Sequence, residues 1–546
     1  MKKALLLLAL WTSVACSSGG PKPTAPPPVA PKAVSSATPI VAPTPIPLGL
    51  TDPNVVEETD TYVITRLPKA DYIRVDDRHV RNPILGFSVE YFKEDDAYFY
   101  VIRQKQVPAE EALKRQLAEQ QGAPPKPADP KRQQEPAVPL SDFDDLAPAR
   151  VSGRLRLEPA PKTGLPPGGM WRASFAVADM NGDGIPDIVA PAARIGDGTP
   201  HIWLGDGKGS FAEWPLSFTE NGKPHELTIA YGGVATGDID GDGKMDFVCA
   251  THGSGLVSLF GDGKGGFRIV RKGLPAGDFS AQAVVLVDAD GDGKLDIVAS
   301  RDREKEHQAG EQVETSQVRV YLYRGAEGWQ FKQEGIVGGF YSNSLHAWDF
   351  DGDGRKDVLT GSHFVGALTL LWKNEGNGTF SPVMFDAIEI YAYHFATEPG
   401  TFGRDRAPAF ADAFLMTTRV PENARATGIT VYALQEGAWT RHRVWREKSG
   451  KSLQYAMAMG DLDGDGLDDV VFADTAKNRL RIFFQQPSGG FVEMAEREEP
   501  TIDSPGQCIR LADLDGDGRL DVVLSKTVTS STPNVKGGWS VYMNRR

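Results

Sequence analysis

Cysteine, long apolar runs and net positive charge are all scarce in this sequence. The 546 residues include only 3 cysteines, which excludes a disulfide-rich scaffold. Apart from a short N-terminal stretch, no segment is apolar enough to predict a transmembrane helix. The formal net charge of -14 argues against nucleic acid or an anionic bilayer surface as the main partner, because both require clustered Lys and Arg.

Familiar catalytic signatures are also missing. The sequence has no Gly-x-Ser-x-Gly elbow, no His-Glu-x-x-His, no Cys-x-x-Cys pair and no Walker loop. Cys249 and Cys508 lie in different repeats, so we interpret them as separate thiols in apolar strands, with a disulfide as the alternative. These absences favour a protein that binds a partner over an enzyme.

The N-terminus has the form of an export signal. Two lysines precede the short apolar stretch 4–11, and the small residues 13–15 provide a cleavage site. Cys16 stands where bacterial lipoproteins carry an acylated cysteine, although Ser13 replaces the usual Leu of that pattern. We expect a lipid anchor on Cys16 and an outer-membrane or cell-surface location. A periplasmic location and plain secretion after ordinary cleavage are the alternatives.

Composition divides the chain into five parts. Stretches rich in Pro, Ala, Ser and Thr have too few apolar side chains to fold, which is typical of tethers. The predicted parts are a signal peptide (1–15), a tether (16–50), a small α+β module (51–121), a disordered Pro-rich linker (122–149) and a repeat domain (150–546). Within the module, 86–92 and 97–102 predict a hairpin and 108–121 predicts a short helix.

One unit repeats through the last part. Its core is Asp-x-Asp-Gly-Asp-Gly-x-x-Asp followed by a short apolar run, and its copies start at Asp179, Asp238, Asp288, Asp349, Asp461 and Asp513. The interval between the fourth and fifth copies is about twice the others, so one repeat has lost its motif near residue 405. We interpret Asp412 as the surviving final acid of that copy. Seven repeats are therefore expected.

Each repeat also has the strand pattern of a propeller blade. Alternating strands are separated by Gly-rich turns such as 205–207, and a later strand opens on an aromatic residue such as Phe211. Four short strands per repeat predict an all-β fold, a seven-bladed β-propeller. Because the last repeat ends on its third strand, the alternating segment at about 150–157 is predicted to complete that blade and remove an exposed edge.

The repeated loop has the chemistry of a calcium site. Acids fall at positions 1, 3, 5 and 9 and a backbone carbonyl is available at position 7, an oxygen-rich set suited to the ~6–8 ligands of Ca²⁺. Gly at positions 4 and 6 permits a tight fold, and clustered carboxylates would repel one another without a cation. An EF-hand would need Glu at position 12, where this chain has strand residues such as Ala190. The alternative is an acidic turn in which Asp caps its own backbone.

This loop and the Leu-Gly-Asp-Gly-Lys-Gly-Gly-Phe type of turn resemble the FG-GAP or VCBS repeats of bacterial surface proteins and integrin α-subunit propellers. The likeness covers roughly 171–546 and is closer to the bacterial form, because the Phe-Gly and Gly-Ala-Pro landmarks of integrins are weak or absent. It implies about six Ca²⁺. The implied ligands, with the fourth of each set acting through its carbonyl, are Asp179, Asn181, Asp183, Ile185 and Asp187; Asp238, Asp240, Asp242, Lys244 and Asp246; Asp288, Asp290, Asp292, Lys294 and Asp296; Asp349, Asp351, Asp353, Arg355 and Asp357; Asp461, Asp463, Asp465, Leu467 and Asp469; and Asp513, Asp515, Asp517, Arg519 and Asp521.

The face of the disc opposite these loops is the predicted ligand face. It receives the loops that follow each second strand and the loops between blades, including Tyr231, and its aromatic and charged residues suit recognition of carbohydrate or protein. Ordinary polar loop tips are the alternative. The candidate ligand-face residues are His252, Arg301, Asp302, Tyr341, His363, Tyr393, His394, Arg419, Asp474 and Lys526.

The predicted function is that of a binding or adhesion module for carbohydrate or protein at the cell envelope. A structural subunit of a larger envelope complex is one alternative. A polysaccharide lyase or hydrolase is another, because propellers serve both sugar-binding proteins and lyases.

Overall fold

A computed structural model describes residues 145–545, with gaps, and a set of strands between residues 55 and 104. The gaps are 172–173, 195–197, 277–278, 302–316, 338–343, 362–370, 384–391, 417–425, 449–455 and 529–536. The chain divides into two compact units, Met1–Gln133 and Gln134–Arg546. The export signal, Cys16, the tether and the predicted helix at 108–121 lie outside the described residues.

The described strands of the first unit form two small sheets. They are Val55–Glu58, Tyr62–Pro68, Ile73–Arg74, His79–Arg81, Ser88–Glu90, Lys93–Glu94 and Tyr98–Gln104. Tyr98–Gln104 pairs with Tyr62–Pro68 and with Lys93–Glu94, whereas Ser88–Glu90 pairs with His79–Arg81. The two segments of the predicted hairpin therefore lie in different sheets. Alternation along a strand identifies the strand but not its partner.

Seven sheets, each with an antiparallel core of four strands, form the described part of the second unit. Blades one to four contain, in chain order, Ala176–Ala178, Asp187–Ala190, His201–Gly205 and Phe211–Glu213; Val234–Gly237, Asp246–Thr251, Gly255–Gly261 and Gly266–Val270; Ala281–Val287, Asp296–Arg301, Gln317–Tyr323 and Trp329–Val337; and Leu345–Trp348, Asp357–Thr360, Leu371–Asn374 and Phe380–Val383. Blades five to seven contain Ala392–Phe402, Ala407–Met416, Thr427–Gln435 and Ala438–Glu447; Met457–Gly460, Asp469–Asp474, Arg479–Gln485 and Phe491–Met494; and Gly506–Ala512, Asp521–Lys526 and Gly538–Asn544. A short 3-10 helix, Gly325–Glu327, lies in blade three.

The seven blades close into a ring. The first strand of each blade contacts the first strands of both neighbours, and the contact between blades seven and one completes the circle. Apolar clusters fill the space between adjacent blades all the way round. The second strands are buried on both faces, which is why the apolar run after each loop does not alternate. The predicted all-β, seven-bladed propeller is confirmed.

The segment before blade one is divided between two blades. Leu157–Pro159 pairs with Gly538–Asn544 and provides the fourth strand of blade seven. Arg150–Val151 instead adds a parallel fifth strand to blade six, beside Phe491–Met494. The single strand predicted at about 150–157 is thus two short strands, separated at Gly153, whose φ is 76°.

Blade two carries an extension that the repeat pattern does not predict. Ser217–Glu220 pairs in parallel with the outer strand Gly266–Val270 and antiparallel with Lys223–His225. The extension widens this blade to six strands.

Candidate metal centres and the opposite face

The first aspartate of each Asp loop organises the loop around its own carboxylate. In blade two, Asp238 accepts hydrogen bonds from the backbone N–H groups of Gly241, Asp242 and Gly243 at 2.8, 3.0 and 2.9 Å. Both glycines have positive φ, 76° and 82°, a conformation that side chains disfavour. The self-capping contacts considered from the sequence are therefore present, and they bring the later acids of the loop towards the first.

The ninth residue anchors the loop to the sheet. Asp246 is only 1 % exposed and accepts hydrogen bonds from the N–H groups of Ile239 and Gly261 at 2.9 and 2.8 Å. Burial raises the pKa of Asp246 to about 7 and that of Asp296, its equivalent in blade three, to about 7, because a desolvated carboxylate disfavours its charge. A divalent cation would favour the ionised form.

In three of the loops, the third residue provides an oxygen atom that accepts no hydrogen bond from the described residues. Asp240 Oδ1, Asp290 Oδ1 and Asp515 Oδ1 are buried and accept no hydrogen bond from any described residue. An unpaired buried polar atom costs about 1–3 kcal/mol. A hard cation that prefers oxygen ligands would satisfy these atoms, so the donor set fits a metal ion.

Carboxylates converge in five of the six loops. In each of these loops, one oxygen from each of three acids lies within 4.8 Å of the other two; the groups are Asp238, Asp240 and Asp246; Asp288, Asp290 and Asp296; Asp349, Asp351 and Asp353; Asp461, Asp463 and Asp465; and Asp513, Asp515 and Asp521. These clusters are compatible with bound metal ions.

The loop of blade one differs from the other five. Its third residue is Asn181, whose Nδ2 donates to Asp183 Oδ2 at 2.9 Å. Asp179 and Asp187 keep the backbone contacts of the other loops. Among the described residues, no convergent group of three acids is found in this loop, so its neutral amide oxygen makes it the least charged of the six sites.

Basic side chains from outside the Asp loops reach five of these loops, which the sequence did not suggest. Arg324 Nη2 lies 2.6 Å from Asp290 Oδ2, and Lys373 contacts both Asp351 and Asp353. Similar contacts join Arg154 to the loop of blade six, Arg268 to the loop of blade two and Arg545 to the loop of blade seven. They partly neutralise the third and fifth positions. These residues have no fixed spacing from the motif, so only the folded chain reveals them.

Blade five has a four-residue turn, 403–406, in place of the Asp loop. Gly400 pairs with Ala409 in this blade, as Gly460 pairs with Asp469 in blade six. Both glycines lie against a side chain from the first strand of the next blade, so they occupy equivalent places. Ala409 therefore stands where the other blades have the ninth aspartate.

The interpretation of Asp412 as the surviving final acid is consequently wrong. Asp412 lies three residues beyond Ala409 and is fully buried. Its Oδ2 lies 2.8 Å from Nδ1 of His394, which is also fully buried. The short turn shifts the alignment, and the acid forms a pair inside blade five.

Several ligand-face predictions do not lie at an accessible surface. His394, Asp474 and Lys526 are 0 %, 2 % and 4 % exposed. Asp474 lies 3.4 Å from Arg481, and Lys526 lies 2.6 Å from Asp503. These three residues therefore make contacts within the fold, which corrects their assignment as ligand contacts. Tyr393 is half-buried against Phe395. The predictions for Asp302, Tyr341, His363, Arg419 and the side chain of Arg301 lie outside the described residues.

His252 and Tyr231 do come together on the predicted ligand face. Their rings stack with centroids 4.9 Å apart and planes at 28°, and His252 Nδ1 lies 3.1 Å from Ser280 Oγ. The guanidinium of Arg194 lies 5.3 Å from the centre of the Tyr231 ring. Arg194 was missed from the sequence, although it follows a second strand as His252 does. We call Arg194, Tyr231 and His252 the aromatic stack.

Comparison with known proteins finds one matching repeat family and several similar solved structures. The FG-GAP-like repeat family matches residues 192–249, 238–299 and 461–524, whereas no curated protein sequence matches the chain significantly. Among solved structures, the V. cholerae biofilm matrix protein Bap1 is similar over 72% of this chain and 91% of that chain, with 13% identity and a TM-score of 0.43. The Pseudomonas aeruginosa periplasmic gluconolactonase PpgL has 13% identity over 61% of this chain and 85% of that chain, with a TM-score of 0.39. The Penicillium chrysogenum alpha-L-arabinanase has 10% identity over 58% and 93% of the two chains, with a TM-score of 0.36. The chain thus contains three stretches similar to the FG-GAP-like repeat, set in a ring of seven blades.

Proposed function

We propose that this protein is an exported, calcium-stabilised propeller that binds a carbohydrate or protein partner, without catalysis, through the face opposite its Asp loops. The observation that carries this proposal is the aromatic stack. Arg194 is exposed, and Tyr231 and His252 are partly exposed. They join loops from different blades into one surface.

The stack has the properties of a recognition site. Its rings present flat apolar area beside a fixed cation, and cation–π contact holds the guanidinium in place. Tyr and Arg are enriched among the residues that dominate binding energy, because they combine a large contact area with polar groups. The contact between His252 and Ser280 orders the imidazole before any partner arrives, which lowers the entropy cost of binding.

The Asp loops serve stability in this proposal. Each would hold one Ca²⁺ through the acids at positions 1, 3, 5 and 9 and the carbonyl at position 7, with Asn181 replacing one acid in blade one. About six ions would offset most of the formal charge of -14. The ions would hold the corner between the first two strands of a blade and leave the opposite loops free to differ.

Export and anchoring are supported by the N-terminal sequence, in which a short apolar stretch precedes Cys16. Within the described residues, no helix has the length and hydrophobicity needed to cross a membrane. A Cys16→Ser variant is expected to lose membrane association while remaining exported. Proteolysis of intact cells tests whether the propeller is displayed at the surface; protection until the envelope is opened would contradict surface display.

The binding proposal is tested with the calcium-loaded protein on an array of glycans and cell-wall polysaccharides, beside capture of envelope proteins. Tyr231→Ala is expected to weaken binding at least tenfold, as removal of a central aromatic contact does. Phe331→Ala is the matched control, since Phe331 is 46% exposed on an outer strand of blade three. Binding that both variants weaken equally, or that Tyr231→Ala leaves intact, would place the site elsewhere.

A lyase absorbance assay on the same polysaccharides tests the absence of catalysis. No turnover is expected from the wild type. Turnover that His252→Ala or His363→Ala abolishes would overturn the proposal and assign the face to an enzyme.

A further inference from the structure

The central channel has one level to which all seven blades contribute an equivalent residue. In each blade, one residue of the first strand pairs with the ninth residue of the Asp loop, or with Ala409 in blade five. The equivalent channel residue lies two positions before that first-strand residue. In blade order, the seven residues are Ala176, Ala235, Val285, His346, Glu398, Ala458 and Arg510. Four blades thus contribute small apolar side chains and three contribute ionisable ones.

A cavity of about 350 Å³ lies at this level of the channel. On the side of blades one to three, the cavity is lined by the small side chains of Ala176, Ala235 and Val285. Val234 and Leu286 line the same side. The volume falls in the range of ~300–1,000 Å³ that is typical of small-molecule sites. The cavity therefore has an apolar side facing an ionisable one.

His346, Glu398 and Arg510, which we call the channel trio, converge from blades four, five and seven. Glu398 Oε1 lies 3.5 Å from His346 Nε2 and 3.5 Å from Arg510 Nη1. The three side chains keep 13%, 14% and 26% of their surface exposed, and all three residues line the cavity. They are thus largely buried but still accessible from the channel.

The trio is also held in place by its surroundings. Arg510 donates hydrogen bonds to the carbonyl oxygens of Ile509 and Phe175 at 2.9 and 3.2 Å. His346 Nε2 lies 3.0 Å from the hydroxyl of Ser344, and that hydroxyl donates to the Thr397 carbonyl at 2.6 Å. Such support from neighbouring groups is what a binding site needs to fix its polar contacts before the ligand arrives.

An ionisable residue at this level is not a general requirement of a blade. Blades one, two and six have alanine at the equivalent position and join the same ring. Burial lowers the pKa of His346 to about 3 and raises the pKa of Glu398 to about 8. At neutral pH, Arg510 is consequently the main charge that faces the cavity. Perturbed groups gathered in one cavity are typical of functional sites.

We propose that the channel binds a small organic carboxylate, whose anionic group contacts Arg510 and whose apolar part packs against the side of blades one to three. A guanidinium matches a carboxylate with paired hydrogen bonds. A protonated Glu398 adds a hydrogen-bond donor beside it. A cationic ligand would be repelled by Arg510, and a neutral ligand would leave its charge unmatched.

The test is isothermal titration of the calcium-loaded protein with benzoate and hexanoate in a buffer free of carboxylates. Benzyl alcohol and benzylamine serve as probes of matched shape and different charge. Saturable binding is expected for the carboxylates, at least tenfold tighter than for the alcohol, with none for the amine. Equal binding of benzoate and benzyl alcohol, or no binding of any probe, would overturn the proposal.

Variants locate the site. Arg510→Gln and Ala235→Leu, which respectively remove the charge and fill the cavity, are each expected to weaken benzoate binding at least tenfold. Arg497→Gln is the matched control, because the side chain of Arg497 is 77% exposed and lies outside the cavity lining. If Arg510→Gln does not fold, Ala235→Leu still decides the outcome. Tyr231→Ala is expected to leave benzoate binding unchanged, so failure here is distinguishable from failure of the outer-face proposal.

The pH dependence separates the trio from an adventitious cationic surface. Benzoate binding is expected to weaken between pH 7 and 9, because an ionised Glu398 repels the ligand, and Glu398→Gln should abolish that dependence. His346 and Arg510, the other ionisable groups of the trio, do not titrate in this range. A pH dependence that survives Glu398→Gln would contradict the assignment.

Discussion

Blades five and six form the same corner in two different ways. Blade six joins its first two strands through an Asp loop, after a first strand of 4 residues. Blade five uses the turn 403–406 between strands of 11 and 10 residues. The longer hairpin provides backbone hydrogen bonds where the other blades gather carboxylates. The comparison teaches that a cluster of carboxylates and an extended ladder of backbone hydrogen bonds are alternative ways to hold one corner of a blade.

The two corners also touch. The N–H and hydroxyl groups of Thr401 donate to Asp468 Oδ2 at 2.7 and 2.9 Å, and Arg406 Nη1 donates to the carbonyl of Gly466 at 3.0 Å. The turn of blade five thus supports the loop of the next blade.

The largest effect is expected from removing calcium. Each of the proposed ions would contribute about 2.7 kcal/mol when free calcium is a hundredfold above its dissociation constant. With an unfolding entropy of about 2.1 cal/mol/K per residue, excess chelator should lower the melting temperature by roughly 10–20 °C. Hydrogen exchange should then show earlier opening of the six Asp-loop blades than of blade five. An unchanged melting temperature, or earlier opening of blade five, would contradict the proposed difference between blade five and the other six blades.

The next largest effect is expected from the buried pair in blade five. His394→Ala leaves Asp412 buried without its partner, which typically costs about 3–5 kcal/mol. Urea unfolding should show the same loss with and without calcium. In the strand register of blade five, the pair lies away from the turn 403–406, which occupies the place of the Asp loop. His225→Ala is the control, since that side chain is 37% exposed. A loss that depends on calcium would contradict the independence of blade five.

A smaller loss is expected from a single anchor aspartate. Asp246→Ala removes the acceptor of two backbone hydrogen bonds and one metal ligand, so unfolding should require about 2–4 kcal/mol less in calcium. Asp405→Ala, in the exposed turn of blade five, should change stability by less than about 0.5 kcal/mol. Equal effects would mean that the loop and the turn are not energetically distinct.

Blade five also differs from blades two and six by placing Glu398 where they have alanine. Burial raises the pKa of Glu398 to about 8, so the folded protein holds a proton that the unfolded chain releases near pH 4.3. Stability should therefore fall between pH 6.5 and 8, by up to ~2 kcal/mol, and Glu398→Gln should flatten this fall. The low pKa of His346, about 3, acts with the opposite sign and only below pH 6.5. Urea unfolding of the wild type and of Glu398→Gln across this pH range, in saturating calcium, measures the difference.

The smallest effect is expected where the two corners touch. Arg406 is exposed and lies 3.6 Å from Asp468. Arg406→Ala should therefore cost less than about 1 kcal/mol, with slightly weaker calcium binding in blade six. A loss as large as that of Asp246→Ala would show that the turn is essential to the neighbouring loop.

The blade count was predictable because each loop motif precedes a doubly buried strand such as Asp246–Thr251, and both features are local in sequence. The role of Asp412 was not predictable, because it depends on a turn length that changes the pairing by three residues. The alternation of apolar and polar residues in 150–157 also could not show whether this segment pairs with blade six or with blade seven.

The residues of the channel and of the ligand face could not be predicted, because both sets depend on contacts between segments that are distant in sequence. His346, Glu398 and Arg510 share a level only through strand register. Asp474 and Lys526 follow their apolar runs as His252 does, yet partners from other segments keep them buried. His252 remains accessible because its partners, Tyr231 and Ser280, lie beside it on the face.

The pairing of Leu157–Pro159 with Gly538–Asn544 has a consequence for how the protein is made. These two strands are widely separated in the chain, so an emerging polypeptide remains an open arc until almost all of it is available. Ring closure is thus a late event with a high cost in chain entropy. Until then the edge of blade seven is exposed to misassociation, which places the most vulnerable moment of folding at its very end.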